Sequence, residues 1–223
     1  MMKISTNTRS VLKNFSTINS GIRVKSGNKL ETISQMKNIL AVATVNESFP
    51  QDFSIYNLPE FLGATSLMED PEFQFGDSSM TVADNNTTMA YFYASDGMVT
   101  APEKMITMPD AEIGFDISSQ LLGDLNKAAS VLNVNDLVLE SDGTKVTLTV
   151  KDKKNAASNT FSRIVGENTT GVKYSMNFKI ENLKILDGNY SVLVSSKGIS
   201  HFKNKDIDLN YFIALEPDSK YNV

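Results

Sequence analysis

The chain is 223 residues long, 41% hydrophobic and 21% charged, with a formal net charge of −5. This length supports one large domain or two of about 110 residues each, and the apolar content and mixed charge argue against general disorder. Cysteine is absent, which excludes disulfides, thiolate metal sites and thiol catalysis and fits a reducing cytoplasm.

The N-terminus has no apolar run of signal-peptide length, and no segment reaches the roughly 18 apolar residues of a membrane helix. The first helix is predicted over residues 7–18, where Val11, Leu12, Phe15 and Ile18 form one apolar stripe. Ser5 or Thr6 supplies its cap, and Gly21 stops it. Strand patterns follow at residues 22–25, with a turn at Ser26-Gly27-Asn28, then at 39–45 and 53–56. A short helix is expected over 58–68 and an aromatic strand over 89–93. The second long helix is predicted over 118–132, capped by Ser118, with a stripe of Leu121, Leu122, Leu125, Ala129 and Leu132. Strands at 137–139 and 145–150 flank the hairpin signal Ser141-Asp142-Gly143. Residues 151–171 are polar and read as a long loop or an irregular edge. Strands at 173–180, 190–194 and 209–215 complete the set, with a short helix at 182–186.

The order of parts repeats, with a long amphipathic helix, hairpins, a short helix and further hairpins in each half. The closing text is also similar, Met89-Ala90-Tyr91-Phe92-Tyr93-Ala94 against Leu209-Asn210-Tyr211-Phe212-Ile213-Ala214. We read a duplicated α+β domain: residues 1–100, a proline-bracketed connector over 101–110, and residues 111–223.

Catalytic constellations are not evident. His201 is the one histidine and reads as a surface or turn residue. No Asp/Glu spacing matches a calcium loop, and the glycines stand singly at turns, away from any phosphate loop. No enzyme activity, cofactor or metal is therefore expected. The charge distribution is more informative. The first thirty residues contain no Asp or Glu and carry Lys3, Arg9, Lys13, Arg23, Lys25 and Lys29. Arg9, Lys13 and Ser16 lie at i, i+4 and i+7, a basic face opposite the apolar stripe. On the second helix, Asp124 stands beside Lys127, so its charge nearly cancels.

One stretch reads Leu12-Lys13-Asn14-Phe15-Ser16-Thr17-Ile18-Asn19-Ser20-Gly21-Ile22, then Lys25-Ser26-Gly27. Further along come Ile55-Tyr56-Asn57-Leu58, Phe61-Leu62-Gly63, Val82-Ala83-Asp84, Ala101-Pro102, Val172-Lys173-Tyr174-Ser175, Gly188-Asn189-Tyr190 and Ala214-Leu215-Glu216-Pro217-Asp218-Ser219. In the order and near-equal spacing of this set, nearly the whole chain resembles the sliding clamp of T4-type bacteriophages, most strongly in the first stretch. The resemblance implies two similar clamp-type domains with outer antiparallel sheets and inner helices, assembling as a closed homotrimeric ring. It implies duplex DNA as a sequence-independent partner, a DNA polymerase, an ATP-dependent clamp loader and, in some members, late transcription factors. The place of work would be the cytoplasm of the infected bacterial host. Departures are Leu40 and Ser195 at aromatic positions of the family, Val223 in place of a terminal aromatic, and the absence of tryptophan.

Placed on that architecture, Arg9, Lys13 and Lys127, with Lys3 as the weaker candidate, are the expected DNA-facing cations. A few such contacts suffice, because enclosure supplies persistence and phosphate contacts are sequence-independent. Client peptides are expected at the apolar connector, on Ile106, Met108 and Pro109, with Leu40, Leu215, Pro217 and Val223 nearby. Subunit contact is expected between open strand edges, one carrying Thr88, Tyr91, Phe92 and Tyr93 and the other lying within 151–164, with Phe161. The competing readings are a β-rich phage structural protein and a single-stranded DNA binder, which would stack bases on aromatics.

Overall fold

The computed structural model describes residues 1–95 and 97–223. It divides into two compact units, Met1–Met105 and Ile106–Val223. The division falls inside the segment read as the connector.

In the first unit, β1 (Met2–Lys3) leads into α1 (Thr6–Ile18), followed by β2 (Ile22–Val24), β3 (Gly27–Ile33), β4 (Ile39–Phe49) and β5 (Phe53–Ile55). Then come α2 (Leu58–Thr65), β6 (Glu72–Phe75), β7 (Ser79–Ala83) and β8 (Thr88–Phe92). α1 forms where its stripe predicts: Val11, Leu12, Phe15 and Ile18 are buried, and the Ser5 side chain accepts a hydrogen bond from the Thr8 N–H. α2 is shorter than the sequence pattern, giving way at Ser66 to turns that run to Met68. Phe49, Phe53, Phe75 and Tyr93 pack ring against ring, as do Phe61, Phe73 and Tyr91, with Phe75, Tyr91 and Tyr93 half-buried. These aromatics are thus committed to packing.

In the second unit, β9 (Ile113–Ile117) precedes α3 (Ser119–Leu132), then β10 (Asp136–Ser141), β11 (Lys145–Lys151), β12 (Phe161–Glu167) and β13 (Tyr174–Lys179). After a 3-10 turn (Ile180–Asn182) come β14 (Tyr190–Ser195), β15 (Ile199–Asn204), β16 (Leu209–Ala214) and β17 (Lys220–Tyr221). Ser118 caps α3 through the Leu121 N–H, and Asn133 ends it in the left-handed conformation, φ 52°. Leu122, Leu125 and Ala129 are buried, while Leu121 and Leu132 are half-buried. Gly143, at φ +99°, makes the β10–β11 turn, where the Asp142 carboxylate accepts from the Thr144 and Lys145 N–H groups.

The duplication is written in the pairing as well as in the order. β1 pairs with β6, β6 with β7 and β7 with β8. β9 pairs with β14, β14 with β15 and β15 with β16 in the same pattern. Likewise β2–β5 and β3–β4 correspond to β10–β13 and β11–β12.

Two readings are corrected and one is narrowed. Of the two alternatives for residues 151–171, the irregular edge is the one found: they contain a seven-residue strand, β12, at the end of its sheet with one register shift. Its side chains are exposed or half-buried, so it lacks the apolar alternation that marks a strand in sequence. The helix expected at 182–186 is only the 3-10 turn ending at Asn182. The Tyr190 hydroxyl donates to the Leu186 carbonyl, and the Leu186 N–H donates to the Tyr211 hydroxyl, which pins that segment as a loop. His201 lies within β15, its ring stacked on Phe212 at 4.5 Å and bonded to Asn210 at 2.9 Å.

Candidate nucleic-acid interface

α1 presents a surface of one charge sign. Its buried stripe packs on α2 and β4. The opposite side carries half-buried Arg9 and exposed Lys13, and no Asp or Glu occurs in the helix. The hydroxyls of Ser10, Ser16 and Thr17 fold back onto the helix carbonyls of Thr6, Lys13 and Asn14. Glu47 of β4 secures the start of the helix, accepting hydrogen bonds from the Ser5 N–H and the Thr8 hydroxyl. Burial pushes its carboxyl up, but those hydrogen bonds outweigh burial and hold it below the ordinary glutamate value. The acid thus sits at the helix start, where it stabilises, and leaves the Arg9–Lys13 face without a counter-charge. On α3, Lys127 is exposed and Asp124 half-buried. Among the described residues, no ion pair involves Arg9, Lys13 or Lys127.

Lys3 differs from the other expected cations. It lies on β1, and its ammonium is held by Asp70 and, at 3.6 Å, by Glu72. The hydrogen bond to Asp70 raises its pKa above the ordinary lysine value. Its charge is therefore locally offset, and it does not extend the cationic face of α1.

The residues expected at the client site separate by exposure. Leu40 is 2% exposed and Leu215 8% exposed, so both side chains belong to packed interior. Ile106, Pro217 and Val223 present surface, whereas Met108 and Pro109 are half-buried. Met105, absent from the sequence reading of this site, is also exposed. The far end of the connector is anchored: Ser195 donates to the Asp110 carbonyl at 2.7 Å, and the Glu112 carboxylate accepts from the Ser196 N–H and hydroxyl. Ser195, fully buried, thus holds the connector in place.

Both strands expected at the subunit contact stand at the ends of their sheets, β8 beside β7 and β12 beside β11. On β8, Thr88 and Phe92 are exposed and Tyr91 half-buried, and half-buried Tyr93 follows it. On β12, the Arg163 guanidinium lies 4.6 Å over the Phe161 ring. A groove of about 390 Å³ runs between β12 and α3, lined by Lys127, Val131, Phe161 and Arg163 among others. Val131 of α3 and Arg163 of β12 were not singled out in sequence, although Arg163 falls within the edge expected over 151–164; the run Phe161-Ser162-Arg163-Ile164-Val165 is the β-prone signal that marks the strand. Among the described residues, no group of three or more His, Cys, Asp or Glu is placed to hold a metal ion.

The chain matches two family models, one described as a DNA polymerase processivity factor over residues 5–100 and one as the gp45 sliding clamp, C terminal, over residues 114–217. The sliding clamp of Vibrio phage KVP40 is 34% identical over 221 residues, covering 96% of this chain and 99% of that protein. The chain belongs to the sliding-clamp family. The sliding clamp of Enterobacteria phage T4 is 32% identical over 239 residues, covering 99% of this chain and 100% of the relative. At the level of fold, the PCNA clamp of A. fulgidus, solved with the C-terminal region of FEN-1 bound, aligns with a TM-score of 0.69 at 11% identity. That alignment covers 95% of this chain and 96% of the other. Sliding-clamp membership sets aside the phage structural protein and the single-stranded DNA binder.

Proposed function

We propose that three copies of the chain close head to tail into a ring around duplex DNA and tether the replicative DNA polymerase to it. Membership in the processivity-factor family supports the tethering. The observation that carries the DNA contact is the α1 face, with Arg9 and Lys13 and no acid on the helix. Such a face attracts phosphates without reading bases. The open edges of β8 and β12 support strand pairing between subunits. Head-to-tail contact closes when the rotation allows. Loading is assigned to an ATP-dependent partner, because a closed ring has no free path for circular DNA. Clients dock on the apolar connector around Met105 and Ile106, and late transcription factors share that surface. A. fulgidus PCNA with the C-terminal region of FEN-1 bound is a precedent for a C-terminal region as ligand. The setting is the cytoplasm of an infected bacterium.

The test measures polymerase run length with and without the protein and a loader, together with retention on circular and linear DNA. Longer runs, and retention that is lost when the DNA has free ends, support the reading. Equal retention on both forms would exclude enclosure.

A further inference from the structure

Of the cations in the acid-free N-terminal segment, Arg23, Lys25 and Lys29 follow α1. The first unit brings them together. Arg23 sits on β2 opposite Ser54 of β5, Lys25 directly follows that strand, and Lys29 lies on β3. The register of β3 on β4 shifts between Gly27 and Lys29, and Gly27 adopts φ +109°. Such a bulge bends a strand and re-aims the side chains beside it. The three cations line one groove of about 260 Å³, whose wall includes Ala101 and Pro102.

The chemistry of the groove is that of an anion site. Among the described lining residues Glu31 is the one carboxylate, and the Asp52 carboxylate beside the groove accepts from the Ser26 N–H at 2.7 Å. Among the described residues, none of the three cations forms an ion pair. The Arg23 Nε is buried and has no hydrogen-bond partner. Arginine's planar fork suits phosphate oxygens, and two mobile lysine ammonium groups add point charges beside it. The segment continues directly from α1 with no acid before Glu31, so the groove and the Arg9–Lys13 face form one cationic stretch of chain.

We infer that this groove is a phosphate site and that it holds the backbone of duplex DNA at a second place, apart from the α1 face. This rests on the DNA-encircling reading above. The test is a lysine-acetylation footprint of the full-length protein, read residue by residue by mass spectrometry. It is run with no ligand, with a short duplex, and with inorganic phosphate at equal phosphate concentration. Lys25 and Lys29 are expected to lose reactivity with duplex, while exposed Lys203 on β15 does not. The double variant K25A/K29A is expected to keep the wild-type melting temperature. Its slope of log affinity on log salt should be shallower by about 1.8, at roughly 0.9 per phosphate contact. Protection of Lys13 with unchanged Lys25 and Lys29 overturns the groove and leaves the ring reading standing. Protection of none of the three overturns both. Equal protection by inorganic phosphate and duplex assigns the groove to free phosphate and overturns its role on DNA.

Discussion

A proline at Ala90 separates pairing within the first unit from pairing between subunits. The Tyr93 N–H donates to the Ser78 carbonyl across β8 and β7. In an antiparallel ladder, hydrogen-bonded and non-bonded pairs alternate. Tyr91 and Met89, opposite Met80 and Val82, therefore turn their backbone groups toward β7, and Ala90 and Phe92 turn theirs to the open edge. Ala90 is exposed and its N–H is not needed by β7. Ala90→Pro removes that donor and puts a ring where a neighbouring strand would lie, the one kind of sheet position that tolerates proline when nothing pairs there. One lost hydrogen bond is worth about 1 kcal/mol, and steric displacement brings the effect to about 1.4 kcal/mol per contact, or roughly tenfold. A closed trimer has three such contacts in the proposed ring, so its assembly constant should fall by about a thousandfold. Sedimentation across a concentration series should find A90P as monomer at concentrations where the wild type sediments as the proposed trimer, with the melting temperature of the dissociated chain retained. Met89→Pro, which removes a donor aimed at β7, should instead destabilise the unit itself. An A90P trimer as tight as wild type, or identical behaviour of the two variants, would refute the assignment of this edge.

The double variant R9A/K13A should retain DNA more weakly, most of all at low salt, with a salt slope shallower by about 1.8, while folding stability changes by no more than about 0.5 kcal/mol; unchanged retention at every salt concentration would remove the α1 face from the interface. Ile106→Asp should weaken binding of a polymerase C-terminal peptide by about 2 kcal/mol, roughly 30-fold, and leave the oligomer intact, as read by calorimetry and sedimentation. Glu47→Gln should cost about 1 kcal/mol at neutral pH, because a charged acceptor at a helix start becomes neutral. The folded-state pKa of Glu47 is depressed below its ordinary 4.5, so its contribution is complete above that value and fades as pH falls through the folded pKa. Denaturation curves of wild type and E47Q should therefore converge in acid; a gap that stays constant down to the acid limit would contradict this.

Much of the architecture was legible in the residue order, because a half-buried helix must repeat its apolar positions every three to four residues. The stripes of α1 and α3, the caps Ser5 and Ser118, and the Asp142-Gly143 hairpin all follow from local rules that need no distant partner. The limit was reached where the deciding partner lies far along the chain. β12 is exposed on both faces, so no alternation marks it, and only its pairing with β11 makes it a strand. The cation on Lys3 looks free in sequence, and Asp70 and Glu72 claim it through the β1–β6 pairing. Leu40 reads as available for a client, but the two faces of β4 are both covered at that point and the side chain is interior. Arg23, Lys25 and Lys29 read as three scattered charges until a bulge and the backing of Ala101 and Pro102 set them around one groove. The sequence by itself determined which segments fold and where the acid-free cationic stretch lies, since propensity and charge are properties of residues. Which charges remain unpaired, and which strand edges remain open, was decided only by tertiary structure, because both are properties of pairs brought together across the chain.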